Sequence, residues 1–239
     1  MLSLETVKLA NNKLKYKLII IVICLIYHLD YNLMIINDDA LAFLKGHDQK
    51  FTQIIEAYGL PPSWSRPQGF ETLCKIILEQ QVSLESGKAA YEKLAACVEV
   101  FDESHIAQLS VEEMRAASIS RQKAGYILGL ANSILDKTID LDILPSLTVE
   151  EAIEALVSIK GVGPWTAEVY LLFALQAPDI YARGDIALIN TIKELWFVKD
   201  SSEALEKSKD WSPHRSAASF LLWHYYLSKR GRVNPIESL

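Results

Sequence analysis

Residues 156–175 place the tightest constraint on how this chain of 239 residues can fold. Two apolar helical patterns there are separated only by Gly161, Val162 and Gly163, a spacer too short for anything but a turn. The two helices are expected to fold back on one another as a hairpin. Gly161 and Gly163 allow backbone conformations that a Cβ forbids and let a ligand come close to the chain, while Pro164 suits the first position of the second helix. The free amides at that helix start would face outward with the positive end of the helix behind them. That arrangement suits one phosphate, and Thr166 would add a hydroxyl donor. A plain hairpin with glycines at a helix end has the same spacing, so the turn alone leaves both readings open.

Beyond Met34 the dominant period is helical and no window alternates well enough for a sheet, so the fold class is mainly α. Pro61, Pro62 and Pro67 break the chain ahead of Phe70, Leu73, Ile76 and Ile77, which fall on one face of a predicted helix that stops at Gln80, Gln81, Val82 and Ser83. A second helix carries Ala89, Tyr91 and Leu94. Ser110 with Glu113, and Thr148 with Glu151, have the spacing of capping boxes, and Ser120 opens another amphipathic helix. With 50% hydrophobic residues the chain can bury one large core or two smaller ones that share a cleft.

Residues 1–33 differ from the rest. A lysine-bearing stretch leads into a ten-residue apolar run at 18–27, too short for a spanning helix, which needs about 20 residues. His28 and Asp30 follow it where a signal peptide would have small residues. The segment is read as an extension from an upstream start, with a membrane tether as the alternative, and no membrane partner is expected. Cys24, Cys74 and Cys97 are too widely spaced for a disulfide framework or thiolate metal site, and His28, His47, His105, His214 and His224 are too scattered to suggest one. The expected location is cytoplasmic. The 24 basic and 30 acidic residues give a charge of -6, which opposes a nucleic-acid partner except through backbone amides and helix starts, to which net charge is blind.

Residues 156–167 resemble the helix-hairpin-helix motif, and residues 179–188, with Gly184 before Asp185, are similar to the Gly/Pro-Asp region of the same base-excision repair superfamily, HhH-GPD. Similarity to its alkyladenine glycosylase (DNA-3-methyladenine glycosylase II) branch runs through residues 60–229, by way of 69–83 and 211–216. The resemblance implies two helical subdomains with an active-site cleft between them: 34–72 together with 180–239, and a central 73–179 that contains the hairpin. It implies a monofunctional glycosylase that hydrolyses the N-glycosidic bond of alkylated bases, 3-methyladenine or 7-methylguanine in type. The partner would be double-stranded DNA containing such bases, the chain a monomer in the cytosol or nucleoid.

Asp185 stands where a helix begins, so position alone makes it an N-cap, whereas the resemblance makes it the catalytic carboxylate; one residue can do both. Bond cleavage builds positive charge on the sugar, which a carboxylate can stabilise while it orients or deprotonates water. Trp165 occupies the place where strand-cutting relatives carry a lysine, so no amine is available for a Schiff base. No cysteine follows Cys97, which argues against the iron-sulfur branch, and no cofactor is expected. Trp165 and Trp223 match aromatic pocket positions for a flipped base, with Trp64 and Tyr170 as further candidates; core packing is the alternative for each. Gln81, in a turn shared with Gln80, is the candidate wedge, or else a polar helix end. Arg121 and Lys123 are candidate phosphate contacts or solvated surface, and the carbonyls of Val157, Ile159 and Val162 are candidates for a monovalent cation. The competing readings are a related glycosylase for other base lesions and a catalytically silent DNA-binding protein.

Overall fold

The structure, a computed structural model, describes residues 35–232. Both readings of residues 1–33 lie outside the described residues. Among the described residues helix is the only regular element. The α-helices are α1 (Asp38–His47), α2 (Gln49–Tyr58), α3 (Phe70–Glu79), α4 (Leu84–Ala95), α5 (Glu103–Ile106), α6 (Val111–Ala116), α7 (Arg121–Leu135), α8 (Val149–Val157), α9 (Pro164–Phe173), α10 (Ile186–Trp196), α11 (Ser201–Ser208) and α12 (Arg215–Ser228).

Local chemistry sets most of these starts. Asn37, Asp48, Ser83, Asp102, Ser120 and Asp200 each accept a hydrogen bond from an amide in the first turn of the helix they precede. Both expected capping boxes form, Ser110 with Glu113 and Thr148 with Glu151. In α3 the expected face of Phe70, Leu73, Ile76 and Ile77 is buried, and Cys74 and Leu78 join it. The expected second helix forms as α4, with Leu94 and Gly87 buried, Tyr91 half-buried and Ala89 exposed.

Packing sorts the helices into two sets. α3 packs on α4, α7 and α9; α7 also takes α5 and α6, and α9 lies against α8. α12 packs on α1, α2 and α10, and α10 on α11. This sorting supports our proposal of a central and a terminal subdomain, with the boundary at the start of α3 and not inside it. α9 and α12 each carry a long unbroken buried run: every residue of α9 from Thr166 to Phe173 and of α12 from Ser216 to Trp223 is buried. The rings of Phe173 and Phe220, 5.2 Å apart between centroids, join the two.

The hairpin turn between α8 and α9 needs one of its glycines for folding. Gly161 has φ +96, and a Cβ there would lie 2.2 Å from Cγ of Tyr126. Gly163 has an ordinary φ of -92, and nothing lies within 4 Å of where its Cβ would be. Gly161→Ala is therefore expected to lower stability by roughly 2 kcal/mol, from backbone strain plus overpacking. Gly163→Ala should change it by less than about 1 kcal/mol. Urea unfolding of the two variants checks this, and equal losses would contradict it.

Candidate active site

Asp185 is half-buried at the start of α10, and donors from three helices converge on it. Its Oδ1 accepts from the Leu188 amide at 2.9 Å, the N-cap bond, and from Trp223 Nε1 at 3.1 Å. Its Oδ2 accepts from Trp165 Nε1 at 3.2 Å. Trp165 stands in the first turn of α9 and Trp223 in the buried stretch of α12. The cap and the indole pair thus act on one carboxylate at once.

The loop that delivers Asp185 is tied at both ends. Near its start, Asp179 accepts from Arg215 Nε at 2.8 Å and Nη2 at 3.0 Å and from Ser212 Oγ at 2.8 Å. Burial opposes its charge, yet the Arg215 and Ser212 donors outweigh that and hold its carboxyl below the usual range. The Ile180 amide donates to Ser216 Oγ at 2.8 Å. Near its end, buried Glu168 of α9 accepts from the Arg183 amide at 2.7 Å and from Arg183 Nε at 2.5 Å. Burial pushes the Glu168 acid up, partly offset by the Arg183 guanidinium. Gly184 then turns the chain with φ +83, a conformation that favours glycine. Tyr181 in the same loop has a buried hydroxyl without a protein partner, and burial and the charges of Asp185 and Glu168 push its phenol up.

Trp223 continues into an aromatic wall, with Phe173 at 5.3 Å and Phe220 at 5.9 Å between centroids. The guanidinium of Arg66 lies 5.4 Å from the Phe173 ring and pairs with buried Glu79 at 3.0 Å. The other two candidate pocket residues are set differently. Tyr170 has no exposed surface, and its hydroxyl accepts from the Gly69 amide at 2.8 Å, so here it is a core residue that anchors the start of α3. Trp64 is buried edge-on against Phe220 at 5.7 Å and lines a cavity of about 180 Å³ with Ile35, Leu41, Pro61 and Pro62, in which Asp185 has no part.

At the hairpin edge, Gln80 Nε2 donates to the Gly161 carbonyl and to Thr166 Oγ1, both at 2.9 Å. Thr166 is 2% exposed, so its hydroxyl is turned to Gln80 and not out to solvent as a phosphate donor would be. Gln81 is exposed at the apex of its turn with φ +57, unusual for a residue with a side chain. Lys123 Nζ donates to the carbonyls of Leu78 at 2.6 Å and Gln80 at 2.8 Å, which makes it a cap on the end of α3 and not a surface cation. Arg121 is exposed and meets Glu112 at 3.5 Å. Sequence reasoning missed Glu168, Arg183, Tyr181, Arg66 and the Lys123 cap; only the apolar setting of Glu168 between Ala167 and Val169 gave a signal. Among the described residues no group of three or more His, Cys, Asp or Glu is placed to hold a metal, and no helix is long and apolar enough to cross a membrane.

Residues 74–214 match the family described as HhH-GPD superfamily base excision DNA repair protein. The chain belongs to that family. It is 30% identical over 175 residues to a DNA-3-methyladenine glycosylase of Bacillus subtilis (strain 168), covering 66% of this chain. It spans 57% of that relative's length, and 58% of that of a second protein from the same organism, YfjP. Among solved structures, a DNA-3-methyladenine glycosidase from Bacillus halodurans superposes with a TM-score of 0.68 at 27% identity, covering 83% of this chain and 94% of the other. A 3-methyladenine DNA glycosylase (Mag1) of Schizosaccharomyces pombe, in complex with abasic DNA, shares the fold with a TM-score of 0.71 at 23% identity, covering 80% and 97%.

Lys123→Met should lower stability by about 1–2 kcal/mol, because two carbonyls lose their donor. It should leave the salt dependence of DNA affinity unchanged, whereas removal of a phosphate contact lowers that slope by about 1. Unfolding and salt-titrated binding measured on one preparation separate the two roles.

Proposed function

We propose that this chain is a monofunctional DNA glycosylase that hydrolyses the N-glycosidic bond of alkylated bases, 3-methyladenine or 7-methylguanine in type, in base excision repair. The observation that carries the reading is Asp185, a carboxylate gripped by two indole N–H groups, one of them from the first turn of the helix that follows the hairpin turn. As the bond to the base breaks, positive charge gathers on the sugar, and a fixed carboxylate opposite it is worth most in the transition state. The same carboxylate can orient water or take its proton. A base that already carries a positive charge needs little help from an acid as it leaves.

Trp165 and Trp223 are the proposed base-contacting pair. Their N–H bonds to Asp185 fix the ring planes, and an indole face attracts a cationic base by about 0.5 to 2 kcal/mol. Trp165 also stands where an amine would be needed for strand cleavage, so the product is an abasic site in an intact strand. Tyr170 and Trp64 belong to the supporting core in this reading. The partner is double-stranded DNA, held at a phosphate by the amides around Gly161 and Gly163, with Gln81 as the wedge that fills the vacated stack.

The hairpin carbonyls of Val157, Ile159 and Val162 would hold a monovalent cation, which would add positive charge beside that phosphate. The Ile159 carbonyl accepts the Val162 amide at 3.0 Å and keeps a second lone pair, which fits an oxygen-only site. No chemical step is routed through it.

The test is release of free 3-methyladenine and 7-methylguanine from methylated duplex DNA by the full chain and by Asp185→Asn, with the product probed for strand breaks. Base release with intact strands, slowed at least about 100-fold in the variant, is expected of lost carboxylate catalysis. Unchanged release in the variant would overturn the mechanism; DNA binding without release by either would leave a silent binder. Gly163→Ala, predicted above to fold normally, should weaken duplex binding because its methyl group stands where the phosphate would approach.

A further inference from the structure

We propose that Glu168 is a positioning residue for Asp185, locking the loop that carries the carboxylate to the second helix of the hairpin. The inference rests on the reading of Asp185 as the catalytic group. Glu168 is 2% exposed, and both of its oxygens are engaged by a single residue: Oε2 by the Arg183 amide at 2.7 Å and Oε1 by Arg183 Nε at 2.5 Å. Arg183 lies two residues ahead of Asp185, with Gly184 between them at φ +83.

A buried carboxylate is destabilising unless its oxygens are well bonded, and a neutral acceptor could have held one amide at a lower desolvation penalty. What the carboxylate adds is a grip on main chain and side chain together, which fixes both the position and the rotation of the peptide entering Gly184. That matters because glycine is the softest backbone joint available. Trp165 and Glu168 stand three residues apart on α9 and so share a helix face. Trp165 holds Asp185 on one side of Gly184, and Glu168 holds Arg183 on the other. The helix that begins at the proposed phosphate site therefore clamps the loop across its hinge, and phosphate grip and carboxylate become one rigid unit. Without Glu168 the turn through Gly184 keeps only its own bond, the Asp185 amide donating to the Ala182 carbonyl at 3.1 Å, and the Trp165 to Asp185 distance is less tightly set.

The test uses the full chain labelled with nitrogen-15, whose five tryptophans each give an indole N–H resonance. Trp165 and Trp223 are assigned through their Phe variants, and Glu168→Gln, Glu168→Ala and Arg183→Ala are compared with wild type. Arg183 has a side chain 54% exposed, so its variant tests the clamp without opening the core. The Trp165 and Trp223 resonances should move in all three variants, while those of Trp64, Trp196 and Trp211 stay in place. Single-turnover base release should fall by about tenfold or more, as expected for a misplaced catalytic group. Duplex affinity should stay within about twofold of wild type, and Glu168→Gln, which keeps an acceptor for the Arg183 amide, should lose least. Unmoved indole resonances, or moved resonances with an unchanged release rate, would overturn the proposal. Should wild type release no base, the glycosylase reading falls, and the indole resonances alone decide whether the clamp holds Asp185.

Discussion

A carboxylate that accepts three N–H bonds from three different helices has little freedom left, and Asp185 is so placed. Hydrogen bonds to a charged group contribute roughly 1.5–3 kcal/mol each, but only while the donors stay within reach. That condition reaches far into the fold. Trp165 is held by the position of α9, Trp223 by α12 and the Leu188 amide by α10, so the three helices must keep their relative placement to a few tenths of an ångström. The Phe173, Phe220 and Trp223 rings lock α9 to α12, and the Arg215–Asp179 and Glu168–Arg183 ties hold both ends of the connecting loop.

A second network governs the edge on which DNA is proposed to lie. Lys123 holds the last carbonyls of α3, Gln80 reaches from there to Gly161 and Thr166, and the Tyr126 ring covers Gly161. The turn that carries Gln81 and the hairpin turn are therefore fixed to each other as well as to their own helices. This offers a way for a chain of net charge -6 to engage a polyanion: a few rigid amides at a helix start in place of a broad cationic surface.

What could be read from sequence was what depends on neighbours along the chain. The capping boxes, the hairpin, the breaks at Pro61, Pro62 and Pro67 and the end of α3 all follow from residues within a turn or two. Asp185 was legible as a helix cap from its position, and the family pattern marked the same residue as the proposed catalytic carboxylate. The indole bonds to it were not, because Trp165 and Trp223 stand 20 and 38 residues away and only packing brings their N–H groups to one carboxylate. The same reason explains the misplaced expectations. Tyr170 and Trp64 have the right type and neighbourhood for a pocket, but the faces they present are set by α3 and Phe220. Lys123 looks like surface charge until α3 delivers two unbonded carbonyls to it.

The central claim is that Asp185 and its two indoles are built for a positively charged sugar. The most direct measurement is the affinity of the chain for two duplexes that differ at one abasic position, one with a cationic pyrrolidine and one with its neutral tetrahydrofuran counterpart. Wild type is expected to bind the cationic duplex at least about tenfold more tightly, as a transition-state mimic should be bound, with the preference lost in Asp185→Asn. Equal affinity for the two duplexes, or a preference that survives the substitution, would contradict it.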